Sequence, residues 1–273
     1  MMCNVASLKS QDAVRSPTGG FPASLWSTSA ARWVSSRSSV SASLITENGV
    51  VSGQSLNGAI DPLTSFPAEN AVLWKDGQII NLGTLGGYES GAGWHNSRGQ
   101  VVGFSSNMTP DPCSLFGLGT QTRAFMWEDG KMKHLGTSGG PDAVAVFINQ
   151  KGQVAGISYT NSIPNAGACP TTVDPFLWDK GKMIDLGSLG GTSGGPAEEV
   201  GLNNKGQVVG ASNLAGDLTS HAFVWPGGDG KMRDLGTLGG NNSNAEAIND
   251  AGEIIGVSDT WTPSMVFSGR MAR

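Results

Sequence analysis

Cysteine, histidine, tyrosine and charge are all scarce in this chain. Its 273 residues hold three cysteines, three histidines and two tyrosines, and 14% of them are charged. No Cys-x-x-Cys or Cys/His spacing occurs, so a structural zinc site is not expected. The 17 basic residues are scattered and outweighed by 22 acidic ones. Without a one-sided basic patch to neutralise phosphates, nucleic acid is not an expected partner. No apolar run approaches the roughly 20 residues of a membrane-spanning helix, the densest being Ala143 to Ile148. No transmembrane segment is expected. The opening Met1-Met2-Cys3-Asn4-Val5-Ala6-Ser7-Leu8 is soon broken by Lys9, Gln11 and Asp12, short of the apolar core of a secretory signal. A chain with 38% apolar residues and so little charge should nevertheless fold, and its length allows one large domain.

Glycine, by contrast, is abundant at 41 residues, and it recurs in a pattern. Leu-Gly-Thr-Leu-Gly-Gly stands at 82–87 and 235–240, with Leu-Gly-Thr-Ser-Gly-Gly at 135–140 and Leu-Gly-Ser-Leu-Gly-Gly at 186–191. A repeat of about 50 residues cannot bury its own apolar faces and must stack on copies of itself. Each copy opens on a short apolar segment: Ala71-Val72-Leu73-Trp74, Ala124-Phe125-Met126-Trp127, Pro175-Phe176-Leu177-Trp178 and Ala222-Phe223-Val224-Trp225. Asp76-Gly77 and Asp129-Gly130 then supply the positive φ angles of a tight hairpin. A second hairpin turns at Asn96 to Gly99, Asn149 to Gly152, Asn203 to Gly206 and Asn249 to Gly252.

Four short antiparallel strands per copy result. Their apolar runs do not alternate, so both faces of each sheet are covered. With no helical pattern to do the covering, the reading is an all-β, propeller-like array of about five four-stranded antiparallel blades of roughly 50 residues. A β-solenoid is the rival. The units lie near 22–55, 71–106, 124–158, 176–212 and 222–258, the first of them degenerate. A partial strand is expected at 264–271, where Gly269-Arg270-Met271 echoes Gly130-Lys131-Met132. Residues 1–20 match nothing in the repeat and read as a loose, disordered leader; 21–273 form a single domain.

The unit resembles the bacterial HAF repeat, named for its opening. His221-Ala222-Phe223 carries that signature, followed by Gly230-Lys231-Met232-Arg233-Asp234-Leu235-Gly236-Thr237-Leu238-Gly239-Gly240 and Ala247-Ile248-Asn249-Asp250-Ala251-Gly252-Glu253-Ile254-Ile255-Gly256. The resemblance covers roughly residues 40–260. Asn70-Ala71-Val72, Arg123-Ala124-Phe125 and Asp174-Pro175-Phe176 open without the His, which speaks against a ligand role for it. The resemblance implies an extracellular or cell-surface setting and supplies no catalytic residues. Kelch and RCC1-like propellers are the next resemblance.

Candidate chemistry is thin. His95, His134 and His221 occupy non-equivalent positions in different copies and are poorly placed to converge on a metal or nucleophile. Asp185 and Asp234 are equivalent, as expected if each orders its own Gly turn. Glu198-Glu199 is an isolated acidic pair read as a solvated edge. No catalytic residue, metal or cofactor is expected, and the chain reads as a monomeric, non-catalytic scaffold. It would bind a protein or glycan through long inter-blade loops 104–123 and 157–174, with Phe116 and Tyr159 as exposed aromatics there. The same two loops carry Cys113 and Cys169, the candidate disulfide. The alternative is a propeller-type hydrolase or lyase acting on carbohydrate, which would need an asymmetric carboxylate cluster that the spacing does not reveal.

Overall fold

The computed structural model describes residues 40–160, 172–197, 200–260 and the backbone of 265–270. The leader at 1–20 and the Trp26 segment of the first unit lie outside the described residues. All regular structure among them is β, with no helix.

The strands fall into successive antiparallel sheets. Sheet I holds β1 (Val40–Ile45), β2 (Val51–Ile60), β3 (Pro67–Lys75) and β4 (Gln78–Gly83). Sheet II holds β5 (Ser90–His95), β6 (Val101–Pro110), β7 (Thr120–Glu128) and β8 (Lys131–His134). Sheet III holds β9 (Ala143–Ile148), β10 (Val154–Tyr159), β11 (Val173–Asp179) and β12 (Lys182–Asp185). Sheet IV holds β13 (Gly190–Pro196), β14 (Val208–Leu214), β15 (Ser220–Trp225) and β16 (Arg233–Gly236). Sheet V holds β17 (Ser243–Ile248), β18 (Glu253–Ser258) and β19 (Met265–Arg270). Within each of these sheets every strand pairs with the next, and one parallel bridge, Val173 to Ser193, ties sheet III to sheet IV.

This grouping corrects the expected phase. The long loops were read as links between units, and the structure instead places them within one. Strands β2 and β6 run ten residues each and pair with the strands that carry Trp74 and Trp127. The long loops are therefore hairpin ends within one sheet, and the Leu-Gly phrase passes to the next sheet. There Gly87 and Gly240 donate their amides to the carbonyls of Ser106 and Asp259. The echo at Gly269 is corrected too. Register pairs Gly256 with Phe267 as it pairs Gly210 with Phe223. Gly269 thus stands where Trp225 does, not at the turn.

Local chemistry explains the sheets. Asp76 and Gly77, at φ 51° and 73°, close the β3–β4 hairpin in the left-handed region, where Gly is free of steric cost and Asp is tolerated. In each second strand a glycine meets the bulged first strand: a Cβ on Gly156 would lie 2.0 Å from the Val144 carbonyl oxygen and 2.8 Å from the Phe176 ring. The bulge pulls the strands together there, and only hydrogen fits.

The sheets stack through apolar clusters. Val102 of sheet II packs with Ala143, Ala145, Ile148 and Phe176 of sheet III. Ala155 of sheet III packs with Leu202, Val208 and Phe223 of sheet IV, and Val209 of sheet IV with Ala245, Ile248 and Ile254 of sheet V. A polar ladder runs beside them. Asn96 Nδ2 donates to the Asn149 carbonyl at 3.0 Å, Asn149 Nδ2 to the Asn203 carbonyl at 2.9 Å, and Asn203 Nδ2 to the Asn249 carbonyl at 2.9 Å. Each Asn Oδ1 also accepts two amides of its own turn. At the first joint Thr46 replaces the Asn, and His95 bridges Thr46 and Ser52 instead. His95 is buried there, which lowers its pKa.

Asn149→Ala would take from the buried Asn203 carbonyl one of its two donors and leave the Lys151 and Gln153 amides without their Asn149 acceptor. It is expected to cost about 2–4 kcal/mol in urea denaturation. Asn249→Ala, at the exposed end of the ladder, should cost about 1 kcal/mol or less; equal losses would show that the ladder carries no stability.

Candidate active site

A row of cross-strand polar pairs runs along the third and fourth strands of the sheets. Two residues before Val72, Phe125, Phe176 and Phe223 stand Asn70, Arg123, Asp174 and His221. The residues paired with those four apolar positions are Asn81, His134, Asp185 and Asp234. In sheet I Asn70 Nδ2 donates to Asn81 Oδ1 at 3.0 Å. In sheet IV His221 Nδ1 meets the Asp234 carboxylate at 2.9 Å. As expected, Asp185 and Asp234 order their glycine turns, accepting the amides of Gly187 and Gly236 at 2.8 and 2.6 Å.

Sheet III departs from this row by facing one carboxylate with another. Asp174 is buried at the start of β11, and its Oδ1 has no hydrogen-bond partner among the described residues. Burial pushes its carboxyl up to about 6, and the Asp185 charge beside it adds to the rise. Asp185 lies exposed at the end of β12. Two carboxylates whose environments differ this much can divide proton donor and proton acceptor roles between them. The pair is also asymmetric with respect to the repeat, as chemistry at a single site requires.

The other candidates do not converge on it. Tyr159 is buried at the end of β10, with its amide donated to the Asp142 carbonyl. Its body fills the core rather than a loop surface. Phe116 is half-buried against Phe104, with ring centroids 4.5 Å apart. Neither is the free aromatic expected on an exposed loop. Cys113 is disulfide-bonded; Cys169 lies outside the described residues, as do Glu198 and Glu199. The three histidines stay apart, and no group of three or more metal-ligating side chains forms among the described residues.

Asp142 is the second perturbed acid, pushed up to about 6 by burial despite accepting the amides of Leu115 at 2.6 Å and Thr122 at 2.9 Å. Its equivalents do the same work: Glu89 accepts the amide of Glu69 and Asn242 that of Ser220. Asp142 is therefore a clamp between sheets, which the spacing missed because the three clamps are different residue types. Asp174 was missed for a related reason. Its position reads as a lost His until the strand opposite is known. A hollow of about 760 Å³ lies elsewhere, against sheets IV and V.

No family model and no curated protein matches the chain. Among solved structures it is similar to the Pyrococcus horikoshii acylaminoacyl peptidase in its orthorhombic crystal form. The TM-score is 0.49 at 14% identity, over 85% of this chain and 37% of that one. The chain thus spans little more than a third of that protein. That structure is titled as a peptidase, where a non-catalytic binding scaffold was expected, and that expectation is not carried further.

A carboxyl raised from 3.8 to about 6 contributes stability that is present below pH 4 and lost as pH rises through 6. Asp174→Asn removes that loss, so its melting temperature relative to the parent should rise between pH 4 and pH 7. A difference that stays constant across this window would show that Asp174 ionises as an ordinary carboxylate.

Proposed function

We propose that the sheets are blades of a β-propeller-like array and that the chain is a hydrolase of glycosidic bonds, using Asp174 and Asp185. The observation that carries this reading is the carboxylate pair of sheet III, set where the other sheets place neutral or basic partners. Hydrolysis of an acetal needs one carboxyl that still holds its proton to protonate the departing oxygen. A second, ionised one acts as base or nucleophile. Asp174, buried and raised to about 6, fits the acid. Asp185, exposed at the end of β12 and accepting the Gly187 amide, fits the second role.

The blade arrangement is supported by consecutive antiparallel sheets, four of four strands and one of three, joined through short inter-sheet crossings. The HAF-repeat resemblance and its extracellular setting belong to the same reading. The disulfide at Cys113 supports that setting, since such bonds persist mainly in oxidising compartments.

The test is hydrolysis of a panel of aryl glycosides by the purified chain. Asp174→Asn should lower kcat about 10²–10⁴-fold, and kcat/KM should fall as pH rises above about 6, where Asp174 loses its proton. His221→Asn serves as a control and should leave the rate unchanged. No glycosidase activity, or activity indifferent to Asp174→Asn, sinks the proposal.

A further inference from the structure

The joints between sheets repeat, and the last sheet presents the first half of a joint with none of the described residues covering it. Val102, Ala155 and Val209 each precede the glycine of their second strand, and each is buried against the following sheet. Ile255 is their equivalent in sheet V and is 44% exposed. Asn96, Asn149 and Asn203 are buried, each donating to the carbonyl of the next turn. Asn249 is exposed, and among the described residues its Nδ2 donates to Glu253 of its own turn and not to another turn. The amides of Ser97, Gln150 and Asn204 donate to side chains of the following turn; that of Asp250 has no following turn among the described residues. The hollow of about 760 Å³ opens at this end, lined by Val200, Leu202, Ala247, Ile254 and Ile255 among others.

Sheet I presents the second half of the same joint. Ile45, equivalent to the buried Ile148, Leu202 and Ile248, is 69% exposed. Ile79 faces Trp74 as Met132 faces Trp127 and Met183 faces Trp178. Both methionines pack on an inter-sheet cluster, whereas Ile79 is 63% exposed. The carbonyls of Asn149, Asn203 and Asn249 accept both the glycine amide of their own turn and the Asn of the preceding sheet. Among the described residues the Thr46 carbonyl accepts the amide of Gly49 alone.

We propose that sheet V of one chain docks on sheet I of a second copy, head to tail, reproducing the internal joint. Asn249 Nδ2 then donates to the Thr46 carbonyl, the Asp250 amide to the Glu47 carboxylate, and Ile255 packs with Ile45 and Ile79. The two faces are different surfaces of one molecule, so the contact is heterologous and can propagate beyond a dimer. Continuity with the internal joints sets the occupant, because a sheet of this same repeat is what covers every equivalent face. This association replaces the expected monomer.

Sedimentation velocity of the full chain over a concentration series tests the proposal. The parent should pass from monomer to dimer and longer species. Ile255→Lys and Ile45→Glu should each be monomeric alone, yet form a one-to-one dimer when mixed, because each retains the face the other has lost. Asn249→Ala should weaken association about 3–10-fold, with circular dichroism unchanged. A parent that stays monomeric at all concentrations, as closure onto sheet I of the same chain would produce, overturns the proposal. So does association that survives both isoleucine substitutions.

Discussion

The side-chain amide of one asparagine per turn is what ties sheets II to V of this chain into one structure. Its oxygen accepts two amides of its own turn and so fixes the turn. Its nitrogen then reaches the carbonyl of the following turn, 46–54 residues away. No smaller side chain spans that gap, and a carboxylate has no proton to donate to a carbonyl. Local turn geometry and long-range stacking are thus set by the same residue. A buried polar group that satisfies every partner in this way specifies one register and penalises any slip. The apolar clusters supply most of the favourable burial, but they would tolerate sliding.

The two perturbed carboxylates show how a repeat separates structure from candidate chemistry. Asp142 shares its role with Glu89 and Asn242, so its raised pKa follows from burial during a structural task. Asp174 shares its role with nothing: the same backbone positions hold an amide pair in sheet I and an imidazole with a carboxylate in sheet IV. A repeat provides its own internal control, in which a perturbed group matters for function in proportion to how far it departs from its copies.

The all-β class and the turn positions were legible in the residues because Asp-Gly and Asn-x-x-Gly have narrow backbone preferences and the apolar runs do not alternate. The phase of the sheets was not. Ser105-Ser106-Asn107-Met108-Thr109-Pro110 reads as polar loop, yet it pairs across to Thr120–Arg123. Strand pairing there is fixed by backbone partners, not by side-chain pattern. The ladder was half visible: the asparagines were read as turn residues, but a reach across sheets leaves no periodic trace. Of the carboxylate pair, Asp185 was recognised through its copies. Asp174 was not, since a cross-strand neighbour is invisible until register is known. Tyr159 was expected on a loop but lies in the core, where apolar burial outweighed its polar sequence surroundings, and Phe116 is half-covered by Phe104.

The hairpin ends joining second to third strands have a further consequence, for how such a chain can change in length. In sheets I and II they are held on both sides by paired backbone and closed by a side chain at the neck, Asp61 or Asp111, each capping an amide two residues on. Residues added beyond that neck disturb neither the ladder nor the apolar clusters. They cost only loop closure, about 0.6 kcal/mol for each doubling of length. A fold whose registers are locked at one end of every sheet is thereby free to lengthen at the other, and copies of unequal size can share one stack.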